Sequence, residues 1–149
     1  MLKSNSFVSN LSIPKMLLEK SNKGSSEENK LLATLYAKQK NYTKAQEHYL
    51  RAIESGDGVD NGTLFNLGYL YQEQKNYDKA EEYYLKAIES GDNDALNSLA
   101  LMYFETVGTH EKALSYISKA VESEKNFFNI HSLAVILLWN EQFGASYDS

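Results

Sequence analysis

The side chains best suited to chemistry in this chain of 149 residues are its three histidines, His48, His110 and His131. An imidazole can act as a general base or as a metal ligand near neutral pH. Two of them, His48 and His110, stand where other copies of a repeated pattern carry tyrosine, so we interpret both as packing residues. No serine or carboxylate is arranged around His131 in the way that a catalytic triad requires. We therefore predict no catalytic residue and no enzymatic activity.

A second candidate is the stretch GDGVDNG, residues 56–62, whose acidic residues and glycines are typical of a calcium-binding loop. The spacing does not fit, because Val59 stands where an EF-hand loop needs an oxygen ligand and no glutamate closes the loop. The chain contains no glycine-rich phosphate-binding motif and no cysteine that could form a zinc–thiolate site. We predict neither a metal ion nor a cofactor.

The overall charge excludes two classes of partner. The chain has a formal net charge of −5, whereas proteins that bind nucleic acid or anionic membranes present a basic surface. Its N-terminus has no uninterrupted apolar core, so we expect neither a signal peptide nor a membrane span. The absence of cysteine is compatible with a reducing compartment. These features predict a cytoplasmic protein whose partner is neither nucleic acid nor a membrane.

Two nearly identical segments, 35 residues apart, reveal how the chain is organised. Residues 41–57 read NYTKAQEHYLRAIESGD and residues 76–92 read NYDKAEEYYLKAIESGD, with thirteen of seventeen positions identical. A third copy follows as NSLALMYFETVGTHEKALSYISKAVES, and a fourth begins at IHSLAVILLW. Repetition at this period is typical of a solenoid, in which each unit buries its apolar face against its neighbours.

Each unit is predicted to form a pair of helices. Apolar residues recur at steps of three and four, as in Tyr84, Ala87 and Ile88, which is a helical period. Gly91 and Asp92 then end the second helix. Small residues recur in both helices and would let them approach closely: Ala33, Gly68, Ala100 and Ala134 in first helices, and Ala45, Ala80 and Ala113 in second helices.

These observations predict an all-α fold, an αα-hairpin solenoid of three helix pairs followed by a terminal helix. We expect this repeat domain to span residues 25–149. Residues 1–24 are predicted to form a separate N-terminal segment, with one short helix in SIPKMLLEK and a linker in SNKGSS.

The repeated pattern resembles tetratricopeptide repeats (TPRs) from residue 26 to about residue 143. The similarity is carried by leucine, a small residue and tyrosine in each first helix, such as Leu67, Gly68 and Tyr71, and by alanine, aromatic and alanine in each second helix. Two departures, the Gly-Asp ending of the units and the longer loop TVGTHEKA, are similar to the related Sel1-like repeats. The resemblance implies a superhelix whose first helices line a concave groove. It also implies a non-catalytic interaction module or scaffold that binds a peptide or a helix there.

The resemblance further assigns residues to this groove. The predicted partner-binding residues are Lys30, Thr34, Lys38, Phe65, Asn66, Tyr69, Glu73, Asn97, Leu101, Phe104 and His131. The apolar members could form a binding patch, or they could fill gaps between adjacent first helices. Some family members clamp the two carboxylates of a chaperone tail, but here Asp94 and Ser98 stand where that clamp needs cations. We therefore do not expect chaperone-tail binding.

The last predicted helix, FFNIHSLAVILLW, is apolar on nearly every side. A helix of this kind is normally buried, and solenoids generally need a polar terminal cap. We predict a self-association edge at Ile136, Leu137 and Trp139 that forms a two-fold homodimer. The N-terminal segment or further repeats of a longer protein are the other candidates to cover it.

Two functions compete with that of a peptide-binding module. The chain could be a self-associating structural segment, or it could be a regulatory repeat domain attached to or acting on an enzyme.

Overall fold

The computed structural model describes residues 26–55, 60–106 and 109–144. The N-terminal segment predicted over residues 1–24 and the first part of the calcium-like loop lie outside these ranges. Seven α-helices follow one another within them: α1 (Ser26–Lys38), α2 (Tyr42–Glu54), α3 (Asn61–Glu73), α4 (Tyr77–Glu89), α5 (Asp94–Glu105), α6 (His110–Ser123) and α7 (Phe127–Trp139). A π-helical turn, Asn140–Gly144, continues from α7.

Consecutive helices pack as the three predicted pairs, α1 with α2, α3 with α4, and α5 with α6, and α7 packs against α6 and α5. The small residues lie where the helices of a pair cross. Ala33, Ala80 and Ala113 are fully buried, and a Cβ atom added to Gly68 would lie only 2.8 Å from Cδ1 of Tyr84. The all-α solenoid is thus confirmed. Among the described helices, none has both the length and the apolarity needed to cross a membrane.

The same ring contact recurs inside every pair. Tyr71 stacks on Tyr83 with ring centroids 5.6 Å apart, and the equivalent rings of the third pair, Tyr103 and Tyr116, are 5.8 Å apart. In the first pair the second ring is that of His48, which stacks on Tyr36 at 5.5 Å.

The environment of His48 supports its predicted packing role. The side chain is buried, and its Nδ1 lies 3.0 Å from Oδ1 of Asn29. Burial lowers the pKa of His48, so the neutral imidazole is favoured.

Helix α4 ends as predicted, at Gly91. This glycine has a φ of 103°, its N–H donates to the carbonyl of Ile88 at 3.0 Å, and the N–H of Asp92 donates to that of Ala87 at 2.9 Å. The two bonds form a Schellman motif, which favours glycine because the left-handed conformation crowds a Cβ atom.

The ends of α1 and α3 use the same motif with lysine in the glycine position. Lys40 and Lys75 have φ values of 59° and 61°, and the next residues, Asn41 and Asn76, each donate to a carbonyl five residues earlier at 2.9 Å. The asparagine side chains then cap α2 and α4 by accepting backbone N–H bonds. The turns within the first two pairs are therefore built from a strained lysine and a capping asparagine.

Replacing Lys40 or Lys75 with glycine should stabilise the protein by about 0.5–1 kcal/mol. A residue with a Cβ atom pays about 1–2 kcal/mol in this conformation, and the greater freedom of glycine in the unfolded chain offsets part of the gain. Urea unfolding followed by circular dichroism measures the change. The matched control is Lys38→Gly at the last residue of α1, where the lysine is not strained and we expect a loss of up to about 0.5–1 kcal/mol. A loss of stability in Lys40→Gly as well would contradict the assigned strain.

Candidate functional site

A pocket of about 440 Å³ opens between the first two helix pairs. We call it the first pocket. Five of its lining residues are ones that the sequence assigned to the groove: Thr34, Lys38, Asn66, Tyr69 and Glu73. The structure therefore brings together nearly half of the predicted groove residues in one concavity, contributed by α1 and α3.

Other residues of the first pocket were not predicted from the sequence, and those outside the first helices are Lys40, Tyr42 and Tyr49. They were missed because groove residues were sought only on first helices, whereas these lie on the intervening turn and on α2. A signal was present, since Lys40 and Tyr42 recur 35 residues later as Lys75 and Tyr77.

The floor of the first pocket combines an apolar surface with polar groups that are hydrogen-bonded within the chain. Leu70 is buried there. The hydroxyl of Thr34 donates to the carbonyl of Lys30 at 2.9 Å and lies 3.2 Å from the hydroxyl of Tyr49. These groups hold one another in place, so the floor can receive an apolar side chain without leaving a polar atom unpaired.

The rim of the first pocket is exposed and mostly cationic. Tyr69 is 50% exposed, and Lys38, Lys40 and Glu73 are exposed around it. Within the described ranges, neither lysine ammonium forms a salt bridge. Two cations and one carboxylate thus face a half-exposed aromatic ring.

A smaller pocket of about 200 Å³ lies one unit further along, between the second and third pairs. We call it the second pocket. Lys75 repeats Lys40 and Glu105 repeats Glu73, but Glu73 itself now occupies the position of Lys38. The balance of charge is reversed, with two carboxylates and one ammonium. The two pockets have a common architecture and opposite charge.

Lys30, predicted to face a partner, is engaged within the chain. Its ammonium forms ion pairs with Glu27 at 2.8 Å and with Asp60. The hydrogen bond between Lys30 and Asp60 raises the pKa of Lys30 and lowers the pKa of Asp60. The carboxylate of Asp60 also caps α3 by accepting a hydrogen bond from the N–H of Thr63 at 2.6 Å. Lys30 therefore ties α1 to the start of α3. Together with the missing cations at Asp94 and Ser98, this argues further against a carboxylate clamp.

Three of the predicted apolar groove residues are partly covered by the chain itself. Phe65 and Leu101 are half-buried, and the ring of Phe65 lies 5.5 Å from that of Tyr84. Phe104 is also half-buried and meets the ring of Trp139 edge-on at 5.9 Å. The alternative of packing between adjacent first helices thus describes Phe104, whereas Phe65 contacts the second helix of its own pair. Tyr69, at 50% exposure, is more accessible than either phenylalanine of the predicted set.

The remaining predicted groove residues lie near α7. Nδ2 of Asn97 donates to Oδ1 of Asn129 at 2.8 Å and to Oγ of Ser132 at 3.3 Å, so its amide joins α5 to α7. His131 is exposed and stacks on Phe127 at 5.7 Å. No group of three or more histidine or carboxylate side chains in the described part of the chain is placed to hold a metal ion.

The predicted self-association edge needs a correction. Ile136 is 0% exposed, because it faces the preceding unit in the position that Met102 has in α5. Trp139 is half-buried and stacks on His110 with ring centroids 3.9 Å apart. Of the three predicted edge residues, Leu137 alone is well exposed, at 47%. The exposed face of α7 is therefore a different one from that predicted.

Two stretches of the chain match the tetratricopeptide repeat family, residues 27–93 and residues 65–126. Together they span two thirds of the chain and include the three helix pairs almost completely. The chain belongs to the tetratricopeptide repeat family. The Sel1-like features stay a prediction, because both matches are to tetratricopeptide repeats.

Solved structures show the same TPR fold. BtubC (BKLC) from P. vanneervenii is 18% identical with a TM-score of 0.65, over 83% of this chain and 57% of that one. Pseudomonas aeruginosa pilF is 22% identical with a TM-score of 0.68, over 84% of this chain and 58% of that one. The TPR chain therefore spans less than three fifths of either protein. No curated protein matches it.

Tetratricopeptide repeats are generally protein–protein interaction modules and non-catalytic scaffolds. The two pockets between adjacent helix pairs are consistent with an interaction module.

Proposed function

We propose that this TPR domain is a non-catalytic module, acting in the cytoplasm, that binds a segment of another protein along its concave groove. The observation that carries the proposal is the first pocket, where half-exposed Tyr69 stands beside Lys38 and Lys40 over an apolar floor. An exposed tyrosine is a frequent anchor of protein interfaces, because it adds much contact area at a small cost in conformational entropy.

The charges of the groove define the segment that fits best. The first pocket would receive an apolar or aromatic side chain next to a carboxylate, which would meet Lys38 and Lys40. The second pocket, with Glu73 and Glu105, would favour a basic side chain. Complementary charges of this kind fix direction and increase the rate of association more than they increase affinity. A bound segment would therefore lie in one orientation, with its acidic end at the N-terminal pair.

The experiment is a peptide-display selection against the full chain, followed by fluorescence anisotropy with the selected peptides. Tyr69→Ala should weaken binding by about 1–3 kcal/mol, as expected of a central interface residue. Lys38→Glu with Lys40→Glu should weaken the binding of acidic peptides. Added salt should then strengthen the remaining binding, because it screens the new repulsion, whereas it weakens binding to the parent chain.

The matched control is Lys119→Glu with Lys125→Glu, which changes the net charge equally at two exposed positions away from both pockets. It should leave affinity nearly unchanged. If selected peptides bind the Tyr69 and lysine variants as tightly as the parent chain, with melting temperatures unchanged, the groove is not the binding site.

A further inference from the structure

Exposed apolar side chains are concentrated at the C-terminal end of the described chain. Of the ten large hydrophobic side chains that are exposed in the described ranges, seven lie between Phe127 and Phe143. Helix α7 itself contains no aspartate, glutamate, lysine or arginine. Contiguous apolar surface on this scale usually marks an interface.

The register of the repeats shows what this surface corresponds to. Ile130, Ala134 and Leu137 stand 34 residues after Leu96, Ala100 and Tyr103 of α5. Those three residues of α5 are buried, because α6 covers them. On α7 the equivalent positions are exposed: 50% for Ile130 and 47% for Leu137, with Ala134 also exposed.

Helix α7 is therefore seated as the first helix of a pair. Its side facing the preceding unit is closed by Ile136, which is fully buried, and by the amide of Asn129, which bonds to α6. Its opposite side has no helix against it within the described residues. We call this opposite side the α7 seam and define it by Phe127, Ile130, Ala134, Leu137 and Leu138.

We infer that the α7 seam binds the α7 seam of a second copy, so that each α7 serves as the second helix of the other. The two helices lie antiparallel across a two-fold axis at Ala134. This arrangement places Leu137 of one copy against Ile130 of the other, and the same contact occurs twice. The inference concerns the outer face of α7 and does not depend on the proposed function of the groove.

Three features favour a second copy as the occupant. A close helix crossing requires a small residue, which is Gly68 in α3 and Ala100 in α5. Helix α7 has Ala134 at the equivalent position, near its middle. Its large neighbours, Ile130 and Leu137, are almost symmetric about it. Neither helix brings a formal charge into the contact, so the interface buries no unpaired ion.

The area of the α7 seam sets the expected strength of the dimer. Its partly exposed side chains present on the order of 500 Å² per copy, given the ~150–250 Å² that a large aromatic side chain can bury. A standard interface buries about 800 Å² per partner. We therefore expect a weak, concentration-dependent dimer.

Since the chain contains no cysteine, a single introduced thiol tests the axis directly. Ala134→Cys should form an intermolecular disulfide under mild oxidation, because a cysteine near a two-fold axis meets its own copy within the required Cα distance of about 4.4–6.8 Å. The matched control, Val135→Cys, places the thiol one residue away on another side of the same helix and should cross-link far less.

Sedimentation velocity over a series of concentrations gives the second readout, with the full chain. Leu137→Glu should weaken the dimer about tenfold or more, while its circular dichroism and the emission of Trp139 stay unchanged. A chain that is monomeric at every concentration overturns the inference. So does a dimer that persists in Leu137→Glu or cross-links equally at both cysteine positions, because it would use another surface.

Discussion

Replacing Asn129 with alanine is expected to lower the free energy of unfolding by about 2–3 kcal/mol, because a buried amide with three hydrogen bonds is lost. Its Nδ2 donates to the carbonyl oxygens of Ala120 at 3.1 Å and Glu124 at 2.8 Å. Its Oδ1 accepts from Nδ2 of Asn97 at 2.8 Å. These bonds join α7 to both helices of the third pair, so we expect α7 to detach before the rest of the solenoid unfolds.

Two spectroscopic probes separate local from global unfolding in the Asn129→Ala variant. Trp139 is the only tryptophan and stacks on His110, so its fluorescence reports whether α7 is docked. Circular dichroism reports the helices as a whole. In urea, the fluorescence transition should move to lower concentration than the circular dichroism transition.

Alanine is a suitable replacement, because Ala95 occupies the equivalent position of α5 and is fully buried there. The matched control is Asn93→Ala, since Asn93 is exposed and its side chain makes no capping hydrogen bond. This control should change stability by less than about 0.5 kcal/mol. If Asn129→Ala were as stable as the parent chain, apolar contacts such as those of Ile136 would be sufficient to hold α7.

Replacing Gly68 with valine should destabilise the protein by about 2–3 kcal/mol, at the upper end of the usual cost of overpacking. Even the first added atom, Cβ, would lie 2.8 Å from Cδ1 and 3.0 Å from Cε1 of Tyr84. The Tyr84 ring is buried against Phe65, and its hydroxyl donates to Oε1 of Gln72 at 2.7 Å. The ring cannot move aside without losing that bond, so α3 and α4 must separate.

The matched control for this prediction is Gly62→Val, in the first turn of α3. Gly62 is exposed, and a Cβ atom there would come no closer than 3.4 Å to Oδ1 of Asp60. Since glycine is itself unfavourable in a helix by about 0.8–1 kcal/mol, this variant should be close to neutral. Equal losses in both variants, measured by urea unfolding, would show that the close contact between Gly68 and Tyr84 is not the cause of the loss.

The helix pairs and their register could be predicted from the sequence, because the interactions that define them are short-range and recur. Tyr71 meets Tyr83 twelve residues later, and Tyr103 meets Tyr116 thirteen residues later. The same period and the same small residues appear in each unit, so every copy supports the interpretation of the others. The solenoid followed from this repetition, together with the end of α4 at Gly91.

The candidate site was less predictable from the sequence. Whether a groove side chain is exposed or is paired within the chain depends on which residues of the neighbouring unit lie beside it. The sequence assigned Lys30 and Tyr69 to the same surface. In the structure Lys30 is paired with Asp60, thirty residues away, whereas Tyr69 is half-exposed. The pairing depends on where the capping carboxylate at the start of α3 lies relative to α1, and no periodic pattern contains that information.

The last helix shows most clearly what the sequence determines and what the tertiary structure decides. Its composition, without a single formal charge, determined that α7 must be largely covered, since apolar surface is unfavourable in water. Which side is already covered was decided by tertiary packing. Ile136 turns toward the preceding unit, and Ile130 and Leu137 turn away from it. A helix that is apolar all round carries no amphipathic signal of its own orientation, so only its docking against α5 and α6 could select the exposed face.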